Sequence, residues 1–183
     1  MTKTQTTSRR LVIDASVASQ AGNRSAPRQV EAACSDFMMT VREVCHRTVF
    51  NPKLEEEWLG SGTAPGHATQ WSIDWLTSMR SKGKVGRSGP LRTDLRSRLI
   101  GSSSRPEQVK QMQDDFHLIE AAFGADCRVA SRDEKVRSAF KNAANHLTEL
   151  QQILWVNPTV AAEEPIQWLQ RGAPDEAARR LTP

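Results

Sequence analysis

The sequence feature that most constrains the fold is a short apolar run near the N-terminus that carries one acid, Leu11-Val12-Ile13-Asp14-Ala15-Ser16-Val17. A run this short predicts a strand buried on both faces, as strands of a parallel sheet are. An acid at the exit of such a strand does not suit a core. It lies instead where open α/β sheets bind ligands, outside the carboxyl ends of their strands. Asp14 is therefore the first candidate site residue.

The composition excludes several classes of protein. With 183 residues, of which 38% are hydrophobic and 25% charged, the chain is expected to form one globular domain with a real core. No apolar stretch approaches the roughly 18 residues that span a bilayer, and no long apolar region follows the basic residues of the N-terminus, which argues against a secretory signal. We expect residues 1–8 to be frayed and the protein to be cytoplasmic.

The three cysteines lack the spacing of a disulfide framework or a zinc site. Cys34 and Cys45 fall on a predicted helix rich in apolar residues, so both are expected to be buried thiols. A reducing compartment is consistent with this use of cysteine.

Strand and helix patterns alternate along the chain. Apolar periodicity, caps and breakers predict strands at Leu11–Val17, Thr48–Phe50, Cys127–Asp133 and Ile153–Val156, and helices over 28–46, from Asn51-Pro52, over 67–81, 91–100, from Pro106 to Phe123 and over 134–146. Short surface helices are expected at 165–169 and 175–181. This alternation predicts an α/β fold with a central parallel sheet covered by helices on both faces.

Four acids from distant positions are expected to meet at one edge of that sheet. Asp14 and Asp133 end strands, Asp115 begins a helix that leads into the second of those strands, and Glu57 lies on the helix after Thr48–Phe50. Among the consecutive acids 55–57, Glu57 beside Trp58 should turn towards the sheet, the alternative being a solvated acidic first turn. Clustered carboxylates repel unless a cation offsets their charge, and oxygen ligands suit Mg²⁺ or Mn²⁺.

Such a metal site would support phosphoryl chemistry without a covalent protein nucleophile. Ser16 and Ser131 each lie two residues from a key acid and could hydrogen-bond ligands or substrate, although hydroxyls in turns are common. Arg132 is a further candidate contact to substrate. His117 is expected to be packed, or on the helix surface, rather than a ligand.

A basic segment separates two of the acids. Between 80 and 110, two acids oppose nine basic residues: Arg80, Lys82, Lys84, Arg87, Arg92, Arg96, Arg98, Arg105 and Lys110. The segment could receive a phosphate backbone, with Lys82, Lys84 and Arg87 as candidate contacts, or it could be a solvated mobile loop. The net charge of +4 is by itself weak support for an anionic partner.

Taken in order, four short pieces resemble the PIN-domain family of small metal-dependent nucleases: Val12–Ser16, Asn51–Trp58, Asp115–Ala122 and Val129–Asp133. The resemblance implies a three-layer α/β/α sandwich over residues 9–160, with a basic insertion around 80–110 and a helical extension at 161–183. It implies hydrolysis of RNA at a Mg²⁺ or Mn²⁺ site whose acids are Asp14, Glu57, Asp115 and Asp133. Asp114 is an alternative to Asp115, and Glu56 or Glu43 to Glu57.

Three functions follow as hypotheses. The first is a metal-dependent endoribonuclease, which the resemblance extends to a toxin held by a partner antitoxin. The second is a catalytically inactive, PIN-like nucleic-acid-binding module that needs the basic segment but no metal. The third is a phosphatase or receiver-like domain in which Asp14 accepts a phosphoryl group, but no convincing second acid lies beside Asp14. A homodimer is possible if Trp71 or Trp75 is exposed.

Overall fold

The structure, a computed structural model, describes residues 7–89, 93–102 and 105–182. Its main sheet has five strands, all parallel: β1 Arg10–Ile13, β2 Arg47–Phe50, β5 Val85–Arg87, β6 Arg128–Ala130 and β7 Leu154–Val156, in the spatial order β5-β2-β1-β6-β7. A small antiparallel ribbon, β3 Gly60–Ser61 with β4 Ala64–Pro65, lies apart from this sheet.

Nine α-helices connect and cover the strands in the described parts of the chain. They are α1 Ala15–Ala18, α2 Arg28–Glu43, α3 Pro52–Leu59, α4 Gln70–Ser81, α5 Thr93–Ile100, α6 Pro106–Asp114, α7 Phe116–Phe123, α8 Glu134–Ala143 and α9 Pro165–Gln170. Short 3-10 helices occupy Thr148–Gln152, Ala161–Glu163 and Ala177–Arg179. The expected sandwich of a parallel sheet between two helical layers is confirmed.

The handedness of the crossovers explains the two layers. Right-handed connections from β1 to β2 and on to β5 place α2 and α4 on one face, and the return through β6 to β7 places α7 and α8 on the other. Side-chain contacts agree, because Trp75 Nε1 on α4 donates to the Met38 carbonyl of α2 at 2.8 Å. On the opposite face α7 contacts β1, β2 and β6, and α6 contacts α8.

The C-terminal residues belong to the same core as the sheet. Trp168 and Leu181 are fully buried, and the Leu181 N–H donates to the Ile153 carbonyl at 2.9 Å. His46 joins both ends of the chain, since its Nδ1 accepts from the Arg9 N–H and its Nε2 faces the Leu169 carbonyl at 3.1 Å. Segment 161–182 is therefore packed as part of the domain.

Several local expectations are wrong or incomplete. The basic segment contains β5, which is too short and too exposed to show a strand period. The helix expected from Pro106 to Phe123 breaks at Asp115, and 175–181 holds only a 3-10 turn and a bridge from Arg180 to Leu154. Cys34 is buried as expected, but Cys45 is exposed because α2 ends at Glu43 and Cys45 adopts a positive φ of 62° in the following turn.

Two of the sequence predictions concern residues that lie outside the described ranges. The frayed N-terminus falls mainly on residues 1–6, and the start of the helix expected at 91 falls on 91–92, both outside the description. Ser8 is anchored, because its hydroxyl donates to the Cys45 carbonyl at 2.7 Å. Trp75 is buried, whereas Trp71 is half-buried against Gly22. Within the residues described, no helix has both the length and the apolar character needed to cross a bilayer.

Gly22 offers a test of how tightly the loop after α1 is packed. It has a φ of +69°, and a Cβ added there would overlap the Cβ of Trp71, whereas Gly83 has a φ of +63° with open space around it. We expect Gly83→Ala to lower the free energy of unfolding by about 1 kcal/mol through backbone strain. Gly22→Ala should lower it by a further 1–3 kcal/mol, roughly the effect of overpacking.

Urea unfolding measures both variants, with Gly62→Ala as a control because Gly62 has no neighbour within 4 Å of the added carbon. Equal losses for Gly22→Ala and Gly83→Ala would contradict tight packing of Trp71 on this loop.

Candidate active site

The candidate site lies where the strand order of the sheet reverses direction. From β1 the chain goes outward through β2 to β5, and it then returns to the other side of β1 to form β6 and β7. In open α/β sheets, ligands bind outside the carboxyl ends of the strands at such a switch point. Asp14 directly follows β1 and Ser131 directly follows β6, so both stand at this point.

Asp14 is held at the switch point by two hydroxyl groups. Its side chain is 6% exposed, and Oδ2 accepts hydrogen bonds from Ser16 Oγ at 2.5 Å and from Ser131 Oγ at 2.6 Å. Its N–H donates to the Ala130 carbonyl at 2.9 Å, which extends the pairing of β1 with β6. No residue in the described ranges donates to Oδ1, so this oxygen is the one available to a ligand.

The loop after β6 is tied to the loop after β1. The Arg132 N–H donates to Ser16 Oγ at 3.1 Å, and its guanidinium reaches the Ser16 carbonyl at 3.3 Å. The Asp133 N–H donates to Ser131 Oγ at 3.1 Å, and Asp133 Oδ1 caps α8 by accepting from two backbone N–H groups at 2.9 Å. One oxygen of Asp133 is thus committed to structure.

Glu57 reaches the site through the cap of α3. Asn51 Oδ1 accepts from the Leu54 N–H at 2.9 Å, and Asn51 Nδ2 donates to the His117 carbonyl at 2.8 Å, which joins α3 to α7. Across this junction, Glu57 Oε2 lies 2.9 Å from His117 Nε2. Of the three consecutive acids on α3, Glu57 is the one that faces α7.

His117 is a buried imidazole that lies beside Glu57. Burial disfavours its charged form, but Glu57 and the Asp114 carbonyl, 3.1 Å from Nδ1, outweigh burial and raise the pKa of His117 above its ordinary value. Sequence reasoning expected His117 to be packed, which is confirmed, but missed its pairing with Glu57. The available signal was a single polar residue in the apolar run Phe116-His117-Leu118-Ile119.

The carboxyl group of Asp115 lies within the electrostatic influence of the other three acids. It lies at the junction of α6 and α7, half-buried, with a φ of −102° and a ψ of 9°. Burial, followed by Asp14, raises its pKa to about 7; His117 opposes this, and Asp133 and Glu57 add to it. The structure therefore brings Asp14, Glu57, Asp115 and Asp133 into one electrostatic group.

The alternative acids lie elsewhere. The side chain of Asp114 is 60% exposed and pairs with Lys110 at 2.6 Å, and that of Glu56 is 49% exposed and pairs with Lys53 at 3.5 Å. Glu43 is exposed at the end of α2, which leads into the amino end of β2 at the opposite edge of the sheet. Asp114 and Glu56 therefore point into surface ion pairs, and Glu43 lies at the wrong edge of the sheet, so the cleft is formed by Glu57 and Asp115 instead.

The basic candidates divide between the two edges of the sheet. Arg87 ends β5 at the edge of the acids, and its guanidinium lies 3.3 Å from Glu55. Lys82 and Lys84 precede β5 and so lie at the opposite edge, where Lys84 Nζ donates to the Cys45 carbonyl at 3.3 Å. The structure therefore separates Lys82 and Lys84 from the acids, because β5 divides the basic segment, and of the three candidate contacts only Arg87 lies at the edge of the acids.

The negative charge and the oxygen atoms of the four acids suit a hard divalent cation, although the acids do not by themselves supply a full set of ligands. Within residues 7–89, 93–102 and 105–182, no group of three or more His, Cys, Asp or Glu side chains is arranged so that it could hold a metal ion. Mg²⁺ commonly uses one or two protein carboxylates and completes its shell with water and substrate phosphate. Asp14 Oδ1 and the Asp115 carboxylate are suitable donors of this kind.

The fold and the site together define an α/β/α protein with an acidic cleft at the switch point of a parallel sheet. Comparisons with family models, with curated proteins and with solved structures gave no match to this chain. Conclusions about function therefore depend on the geometry and the electrostatics of the cleft.

Asp115 makes stability depend on pH in the absence of metal. Its pKa is about 7 in the folded protein and 3.8 without perturbation, so between these values only the folded state keeps the proton. Its contribution to the free energy of unfolding is full below pH 3.8 and is lost as the pH rises to about 7. The loss amounts to at most about 4 kcal/mol.

Asp115→Asn removes this dependence because the amide does not titrate. Urea unfolding in EDTA should show the variant gaining on the wild type by a few kcal/mol, roughly, between pH 4 and pH 8. Asp114→Asn is the matched control and should follow the wild-type profile, because Asp114 forms only a surface ion pair. Parallel profiles for wild type and Asp115→Asn would contradict the raised pKa.

Proposed function

We propose that this protein is a divalent-cation-dependent endoribonuclease that hydrolyses phosphodiester bonds of RNA. The observation that carries the proposal is the buried Asp14 carboxylate at a sheet switch point, with one oxygen held by two hydroxyls and three further acids nearby; burial first, and then Asp14, raises the pKa of the neighbouring Asp115 to about 7. Unpaired negative charge of this kind is a feature of functional sites, because a structural core would not retain it. A divalent cation is the simplest group that offsets it.

In the proposed site, some residues orient the acids and others would bind the cation. Ser16 and Ser131 hold Oδ2 of Asp14, which leaves Oδ1 for a cation, and Asp115 would supply a second oxygen once ionised. His117 holds Glu57 in place, and the backbone of α8 holds Asp133. A bound Mg²⁺ or Mn²⁺ would supply Lewis acidity, which activates water and polarises the phosphodiester.

Positive side chains near the acids support a polyanionic substrate. Arg132 lies on one side, anchored to the Ser16 carbonyl, while Arg87, Arg96 and Lys53 line a cavity that begins at Glu57 and His117 on the other. These cations could contact the phosphates that flank the reacting one. A substrate with one phosphate would use only one of the two sides.

A second candidate function is an inactive nucleic-acid-binding module. It is favoured by the finding that no three ligand side chains of the described residues are arranged around one point. In such a protein the basic side chains would bind RNA, and the acids would neither hold a cation nor cleave. The two candidate functions differ in whether a divalent cation binds to the acids and permits cleavage of RNA.

Cleavage of single-stranded RNA in Mg²⁺ or Mn²⁺ distinguishes the two. We expect the purified protein to cleave, EDTA to stop cleavage, and Asp14→Asn to lower the rate by roughly a hundred-fold or more. Ser131→Ala should lower the rate by roughly 10–100-fold, the usual effect of losing a group that orients a metal ligand. Gel analysis of a labelled RNA measures both rates.

Asp36→Asn is the matched control, since Asp36 is an exposed acid on α2 and is not one of the four acids of the cleft. A thermal-shift measurement should show Mn²⁺ stabilising the wild type and Asp36→Asn but not Asp14→Asn. Undiminished cleavage by a folded Asp14→Asn protein would rule out the nuclease. RNA binding that survives EDTA, with no cleavage in either metal, would favour the binding module.

A further inference from the structure

A cavity of about 890 Å³ opens beside the acids on the side of α3 and α7. It shares Glu57 and His117 with the cleft and extends to Glu120, one helical turn further along α7. Its volume lies in the range of pockets that bind small ligands. Anything bound in it would lie directly next to a phosphate held at the acids.

Glu120 is the feature of the cavity that its packing does not explain. Its side chain lines the cavity but is only 8% exposed, and no described residue donates a hydrogen bond to it. Burial raises the pKa of Glu120, while Arg96 acts in the opposite direction. A buried carboxylate without donors is unfavourable by itself. A ligand with N–H groups would relieve this.

The other cavity residues suit a nucleotide. Phe50 provides a buried aromatic side chain, and the guanidinium of Arg96 lies over the ring of Phe116, 5.8 Å from its centroid. Arg87 pairs with Glu55, but its side chain remains 74% exposed. The guanidinium planes of Arg87 and Arg96 are surfaces on which an unpaired base can stack, and the same two arginines could contact phosphate.

We propose that this cavity binds an unpaired guanine base of the RNA, next to the phosphate that is cleaved, and that Glu120 recognises it. An ionised carboxylate only accepts hydrogen bonds, and it has two oxygens. Guanine presents two neighbouring donors, N1–H and the exocyclic amine. Adenine and cytosine pair one donor with an acceptor, and uracil flanks its single N–H with oxygens. The proposal rests on the nuclease function, whose substrate preference it specifies.

Binding of short oligouridines that carry one central guanosine, inosine or adenosine tests the proposal, with EDTA present so that nothing is cleaved. By fluorescence anisotropy, wild type should prefer guanosine to adenosine by on the order of ten-fold or more. Inosine should bind with intermediate affinity, because it keeps N1–H and lacks the amine. Inosine tests the recognition on the unaltered protein, so the result does not depend on a variant that folds.

Glu120→Gln should abolish the preference for guanosine and raise the affinity for the adenosine oligomer, since the amide offers one acceptor and one donor, the complement of the donor and acceptor of adenine. Glu107→Gln is the matched control, because Glu107 is exposed on α6. Equal affinity of the wild type for all three oligomers, no measurable binding of any, or a preference that survives in a folded Glu120→Gln protein would overturn the proposal.

The two proposals fail in different ways. A guanosine preference in EDTA without cleavage in Mg²⁺ or Mn²⁺ would leave the base pocket standing and remove the nuclease. Cleavage at every base with equal rate would leave the nuclease standing and remove the pocket. Cleavage sites that cluster beside guanosine in the wild type and spread in Glu120→Gln would support both.

Discussion

The buried carboxylate of Asp14 is the interaction on which the rest of the cleft depends. It lies at the end of the central strand, and its two hydrogen bonds come from hydroxyls on two different loops. Hydrogen bonds to a charged acceptor are about twice as strong as neutral ones. They therefore fix the loop after β1 against the loop after β6. The side chain of Asp14 is consequently fixed in a buried position and cannot rotate outward into solvent.

Asp115 adds a second acid to the cleft because the helix is interrupted at this residue. A continuous helix from Pro106 to Phe123 would carry Asp115 in a regular turn, whereas the observed break begins α7 directly after it. The break lets α7 bury every residue from Phe116 to Ala122 against the sheet. Its first turn thereby brings Asp115 into the field of Asp14, and His117 to Glu57. Among the four acids, Glu57 is the one for which the described residues provide a basic partner, since His117 Nε2 lies 2.9 Å from its Oε2.

Sequence reasoning succeeded where a residue type marks its own local structure. Asp14 ends an apolar run, Asp133 accepts from the first N–H groups of α8, and Asn51-Pro52 opens α3. It failed where tertiary contacts decide. The three residues of β5 become a strand only by pairing with β2, and this pairing sends Lys82 and Arg87 to opposite edges of the sheet. The contact of His117 with Glu57 joins two helices that no periodicity connects.

At the carboxyl ends of the strands, the acids are flanked by arginines, and this arrangement of charge would determine how a polyanion approaches. A net charge of +4 is too small to attract RNA to the whole surface, and the acids would repel a phosphate that approached them without a cation. In the proposed nuclease, Arg132 on one side and Arg87 with Arg96 on the other would attract the flanking phosphates instead. The backbone would thus be drawn across the acids from both sides. The central phosphate would be brought to the acids only when a divalent cation has neutralised them.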